Sequence, residues 1–114
     1  MSDLFNAVPQ LLASPQFQKS AGKIVAEEFL GLLKQGLNDE DTFIKTTAEM
    51  TAQAVLNQAQ GLITEEDMTA LLNKQKTIAQ IHANSSKIAL RTRIQTLTVR
   101  LIDIAIRSFS GAVK

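Results

Sequence analysis

The stretch from Thr64 to Phe109 contains no Gly and no Pro, the two residues that most often interrupt a helix. Stepping at the helical period from Met68 gives Leu72, Gln75, Ala79, His82, Ser86, Leu90, Ile94, Leu97, Leu101 and Ile104. That stripe never loses phase, and it is apolar at both ends and polar in the middle. As one helix it would be about 70 Å long at about 1.5 Å per residue. Every other segment has to be fitted around it.

The chain ahead of it reads as further helix. Residues 1–13 place Leu4, Phe5, Val8, Leu11 and Leu12 at helical spacing, but Pro9 would kink or break the turn it sits in. This segment is expected to be a short arm that lays an apolar face on something else, because an isolated helix of that length is marginal. Ser14-Pro15 is a helix start, with Ser as cap and Pro in the first turn. The helix that follows is expected to reach about Gln35, with Phe17, Ala21, Ile24, Val25, Phe29, Leu32 and Leu33 inward. Gly36-Leu37 suits a left-handed cap. A second helix is expected over about residues 39–60, opened by the acidic run Asn38-Asp39-Glu40-Asp41 and closed by Gly61-Leu62. Residues 14–62 therefore form an antiparallel hairpin of two helices of about 20 residues. Thr64 with Asp67 reads as a variant capping box, and Ile63 can staple onto Met68.

The fold class is all-α, a single helical domain over residues 1–114. Its architecture turns on Ala83-Asn84-Ser85-Ser86. Both earlier helices end in Gly-Leu, and nothing similar occurs here, so the expectation is one long helix over residues 64–110. The alternative is an interruption at residues 84–86, which would give four helices of similar length and a self-contained four-helix bundle. On the long-helix reading the hairpin cannot cover the apolar far end. Leaving that surface in water is unfavourable at about 25 cal/mol per Å2. A second copy of the chain is the cover expected, with Leu90, Ile94, Leu97, Leu101 and Ile104 as the homodimer interface.

The charge balance is uneven along the chain. Residues 1–67 hold four Lys against ten acidic residues, and residues 68–114 hold eight Lys and Arg against Asp103 alone. An acidic half packing beside a basic half is the first reading. The second is a basic face of Lys87, Arg91, Arg93, Arg100 and Arg107 that meets nucleic acid or a lipid headgroup. Nucleic-acid recognition usually adds aromatic platforms or a recognition motif. This sequence has no Tyr or Trp, and only Phe109 lies near the basic residues. Asp103 is expected to pair with Arg107 and Arg100 at helical spacing, and Glu28 with a basic residue of the C-terminal helix.

Catalytic chemistry finds little support. There is no Gly-rich phosphate loop, nucleophile elbow or zinc signature. Cys is absent, and no Glu-x-x-His pair is present for a carboxylate-bridged metal bundle. His82, the lone histidine, lies on the buried stripe and reads as a hydrogen-bonded structural residue. No cofactor is expected, nor an enzyme.

No apolar run is long enough to span a bilayer, and the N-terminus lacks the pattern of a Sec signal. Cytoplasmic location is the default. A small helical protein exported unfolded stays open as an alternative, although the Trp-x-Gly turn of such hairpins is absent. The function expected is a non-enzymatic, homo-oligomeric interaction or adaptor module that binds an unknown protein partner. The alternative is a nucleic-acid-binding accessory protein that uses the basic C-terminal helix.

Overall fold

A computed structural model describes residues 23–109, with side chains over residues 27–107. The arm at residues 1–13 and the Ser14-Pro15 helix start lie outside the described residues. Within them the chain is an all-α bundle of four helices. They are α1 (Lys23–Leu37), α2 (Thr42–Ala59), α3 (Glu65–Asn84) and α4 (residues 88–109). Three joined segments make up α4: Ile88–Arg93, the π-helical Ile94–Val99 and Arg100–Phe109. Side-chain pairs fix the directions. Glu28 of α1 meets Arg100 and Asp39 meets Arg93, so α1 and α4 run antiparallel. Thr47 meets Gln75, and Phe43 meets His82, so α2 and α3 do too.

The long helix does not form. The expectation of unbroken helix over residues 64–110 is corrected at Asn84, and the four-helix alternative is the arrangement adopted. Side chains bond the last carbonyls of α3, with no Gly at the turn. The Ser85 hydroxyl donates to the Ile81 carbonyl at 3.1 Å, and the Ser86 hydroxyl to the His82 carbonyl at 2.7 Å. The Arg91 guanidinium reaches back from α4 to the Ala83 carbonyl at 3.2 Å and the Ser86 carbonyl at 3.3 Å. The Ile81, His82 and Ala83 carbonyls are among the last four of α3, the acceptors that a helix C-terminus must satisfy, and a cation there also suits the helix dipole. Lys87 is extended (φ −62°, ψ 156°), and α4 starts at Ile88. The stripe keeps its phase through the turn because α3 and α4 both face the same core. Met68, Leu72, Ala79, Ile94, Leu97, Leu101 and Ile104 are all buried.

The other ends follow local chemistry. Thr64 accepts from the Asp67 amide at 3.0 Å and Asp67 returns the bond at 3.4 Å, completing the expected capping box. Asp41 caps α2 by accepting from the Ile44 amide at 3.0 Å. Gly61 takes φ +77°, and the Leu62 amide bonds the Asn57 carbonyl at 2.8 Å, the 6→1 bond of a Schellman ending. Gly36 does not play the same part. Among the described residues Gly61 alone has positive φ, and α1 continues through Gly36 to Leu37. The need for glycine at 36 is contact with α2: a Cβ there would lie 2.8 Å from the Ala48 Cβ.

The core has two apolar regions. Phe29, Leu33, Val55, Met68, Leu72, Leu101 and Ile102 fill one, and Ile44, Ala79, Ala83, Ile94 and Leu97 fill the other. Between them lies a polar layer in which Thr47, Thr51 and Thr98 are buried and Gln75 partly so. Thr51 donates to the Thr47 carbonyl at 2.8 Å, and Gln75 to the Thr47 hydroxyl at 3.4 Å.

Thr98 is the exception: its hydroxyl is buried with no hydrogen-bond partner. Thr51, Thr77 and Thr96 each donate to the carbonyl four residues back, whereas Thr98, at the end of the π-helical turn, does not. An unsatisfied buried hydroxyl is costly, and Val has nearly the same shape. Thr98→Val is therefore expected to raise stability by about 1 kcal/mol. Urea denaturation should show a higher midpoint at unchanged slope. A lower midpoint would mean that the hydroxyl has a partner.

Candidate interaction surface

The five residues expected to form a dimer interface are core residues of a single chain. Ile94, Leu97, Leu101 and Ile104 are buried by α1, α2 and α3, and Leu90 is half-buried against the second apolar region. The interface reading is thus corrected. It followed from an α4 that projects away from the hairpin, whereas the turn at residues 85–87 folds α4 back onto it.

The basic face is largely engaged within the chain. Arg93 grips Asp39 with two bonds, Nε to Oδ2 at 3.1 Å and Nη2 to Oδ1 at 2.8 Å. Paired planar bonds of this kind are the stronger form of ion pair. Arg100 donates to Glu28 through Nε at 2.6 Å, which meets the expectation that Glu28 pairs with the C-terminal helix. Arg91 is bound to the α3 carbonyls. The acidic N-terminal half does pack on the basic half, inside one chain. Asp103 departs from expectation: Lys76 of α3 holds it at 2.7 Å, in place of Arg100 or Arg107. Asp103 points across the helix pair, where a cation from α3 is nearer than its own neighbours. Lys87 and Arg107 are exposed, near opposite ends of α4.

His82 is half-buried and stacks on Phe43, with ring centroids 4.1 Å apart and planes 10° from parallel. It ties α3 to the start of α2. The sequence signalled a structural histidine, and the contact that holds it is aromatic stacking where a hydrogen bond was expected.

What the sequence reading missed is an outward apolar strip. Leu71 (53% exposed), Ile78 (40%) and Ile81 (61%) follow one another along α3, and Ile88 (75%) stands just past the turn. Residues 71, 78 and 81 share a helical face, offset from the buried face of Met68, Leu72, Ala79 and Ala83. The Thr47–Gln75 and Phe43–His82 contacts set Met50 of α2, 50% exposed, level with α3 near Leu71. The strip is thus a shallow apolar ribbon along the outer side of the α2–α3 seam. Its signal in the sequence is the second apolar set at i, i+7 and i+10.

Together these residues expose on the order of a few hundred Å2 of apolar surface, comparable to the largest patch on an ordinary monomer, which is often functional. Among the described residues there is no group of three or more His, Asp and Glu that could hold a metal ion. No helix among them is long and apolar enough to cross a membrane. Comparison of the chain with family models, with curated proteins and with solved structures finds no match in any of the three.

Proposed function

We propose that this chain is a non-enzymatic helical interaction module that docks on another protein through the ribbon of Met50, Leu71, Ile78 and Ile81. The observation that carries the reading is the exposure of those residues on a helix whose opposite face already fills the core. A surface helix that had only to close the bundle would carry one apolar face; α3 carries two. The polar neighbours support it. Thr46, Gln53 and Asn57 on the outer face of α2 carry no charge, so desolvating them under a partner is cheap compared with burying charge. The basic face supports a nucleic-acid reading less well, since Arg91, Arg93 and Arg100 are already bonded to groups of the chain itself.

The test is a photo-activated crosslinking side chain placed at Ile81 and, separately, at exposed Gln95 of α4. In cells that produce the full chain, the Ile81 position is expected to give discrete protein adducts and the Gln95 position none. Adducts at Gln95 alone, or nuclease-sensitive adducts at Lys87 with nothing at Ile81, would reject the proposal.

A further inference from the structure

We infer that the occupant of the α3 ribbon is a second copy of this chain, docked with α3 antiparallel to its own mate about a two-fold axis near Ile78. The inference rests on the proposed docking face and adds to it the partner's identity and direction. Charge along the ribbon carries it. The first turn of α3 holds Glu65, Glu66 and Asp67, while the far end holds Lys87 beside Ile88 and no acidic residue. Between those ends lie Leu71, Ile78 and Ile81, with Lys74 the one charged residue on the same outward strip.

A surface acidic at one end, apolar in the middle and basic at the other is complementary to itself when turned end for end. A two-fold axis near Ile78 sets residue 72 of one copy opposite residue 84, the last of α3, in the other, so the acidic first turn extends past the end of the mate's helix. Lys87 stands in the turn at that end. The same operation places Ile78 against Ile78 and Leu71 against Ser85, a small residue that leaves room for it. A parallel pair would stack the acidic turn on its own copy, which is repulsive. Closed two-fold association through a single self-complementary patch is also the commonest form of homo-oligomer.

The absence of Cys makes the geometry directly testable, because any introduced thiol is the sole one in the chain. The purified full chain is expected to sediment as a dimer at micromolar concentration. Ile81→Glu should weaken the dimer at least about tenfold while leaving the helical circular dichroism unchanged, since Ile81 is 61% exposed. Lys87→Glu should weaken it at low salt and less at high salt, and adding Glu66→Lys should restore it.

On mild oxidation, Ile78→Cys should form a disulfide-linked dimer readily. Leu71→Cys should not, because its mate would lie about 21 Å away along the axis at about 1.5 Å per residue. Equal linkage of both variants would mean a parallel pair and would overturn the inference. A wild-type chain that stays monomeric at about 100 µM would also overturn it. Adducts to another protein from the Ile81 crosslinker, found alongside such a monomer, would leave the docking face standing and remove the second copy alone. No adducts at Ile81 and no dimer would remove both.

Discussion

A Leu97→Asp chain is expected to be unfolded at 25 °C, with most of its far-ultraviolet helical signal lost. Leu97 is 6% exposed and packs in the region of Ile44, Ala79, Ala83 and Ile94. Removing a buried Leu side chain costs about 2–5 kcal/mol from lost burial and the cavity left behind. The carboxylate adds several kcal/mol more unless it is paired or protonated. The buried side chains of this region are all apolar and offer a carboxylate no partner. Against a total stability of about 5–15 kcal/mol for a domain, a combined loss of this size removes most or all of the folded population. Were Leu97 instead an interface residue on a free-standing helix, the same change would yield a folded monomer with full helical signal. Circular dichroism with sedimentation on one sample separates the two outcomes, and a folded monomer would refute the core placement.

The contrast shows which parts of the fold the sequence carried and which it did not. Capping chemistry is local, and it was readable: Thr64 with Asp67, and Gly61 with Leu62, act within five residues of each other. The helical character and the inward faces of α2, α3 and α4 were readable for the same reason, since periodicity depends on near neighbours. The break at Asn84 is obscured because no Gly marks it: the side chains on the last α3 carbonyls are two serine hydroxyls and Arg91, eight residues beyond Ala83. Serine within a helix is common and Arg on a surface is commoner, so neither announces a terminus. The interface expectation turns on that one bend: the same apolar residues face the chain's own core once α4 folds back.

Long-range pairing was legible by sign but not by address. Opposite charge on the two halves pointed to ion pairs between them, but that Asp39 would take Arg93 and that Lys76 would take Asp103 depends on the packing of whole helices. The outward strip of α3 was present in the sequence as Leu71, Ile78 and Ile81, but whether such residues lie at a core edge or in water depends on which helices flank α3. Among the described residues α3 packs on α2 and α4, and these leave that strip exposed.

Gly36 and Gly31 provide the second large expected effect, because they occupy one helix and should respond with opposite sign. Alanine is favoured over glycine in a helix interior by about 0.5–1 kcal/mol, so propensity alone makes both substitutions stabilising. At Gly31 nothing lies within 4 Å of an added Cβ, and Gly31→Ala is expected to stabilise by about that amount. At Gly36 the added Cβ would lie 2.8 Å from the Ala48 Cβ, an atom fixed to the α2 backbone that cannot rotate aside. The helices must separate, and overpacking of this kind costs about 1–3 kcal/mol. That exceeds the propensity gain, so Gly36→Ala is expected to lower stability by about 1–2 kcal/mol. Adding Ala48→Gly removes the obstructing methyl, and the double variant should be more stable than the sum of the two single changes allows. Urea midpoints for the three variants and the original chain close this cycle. Strict additivity would show that residues 36 and 48 do not touch, and the close packing of α1 on α2 would then have to be redrawn around a different pair.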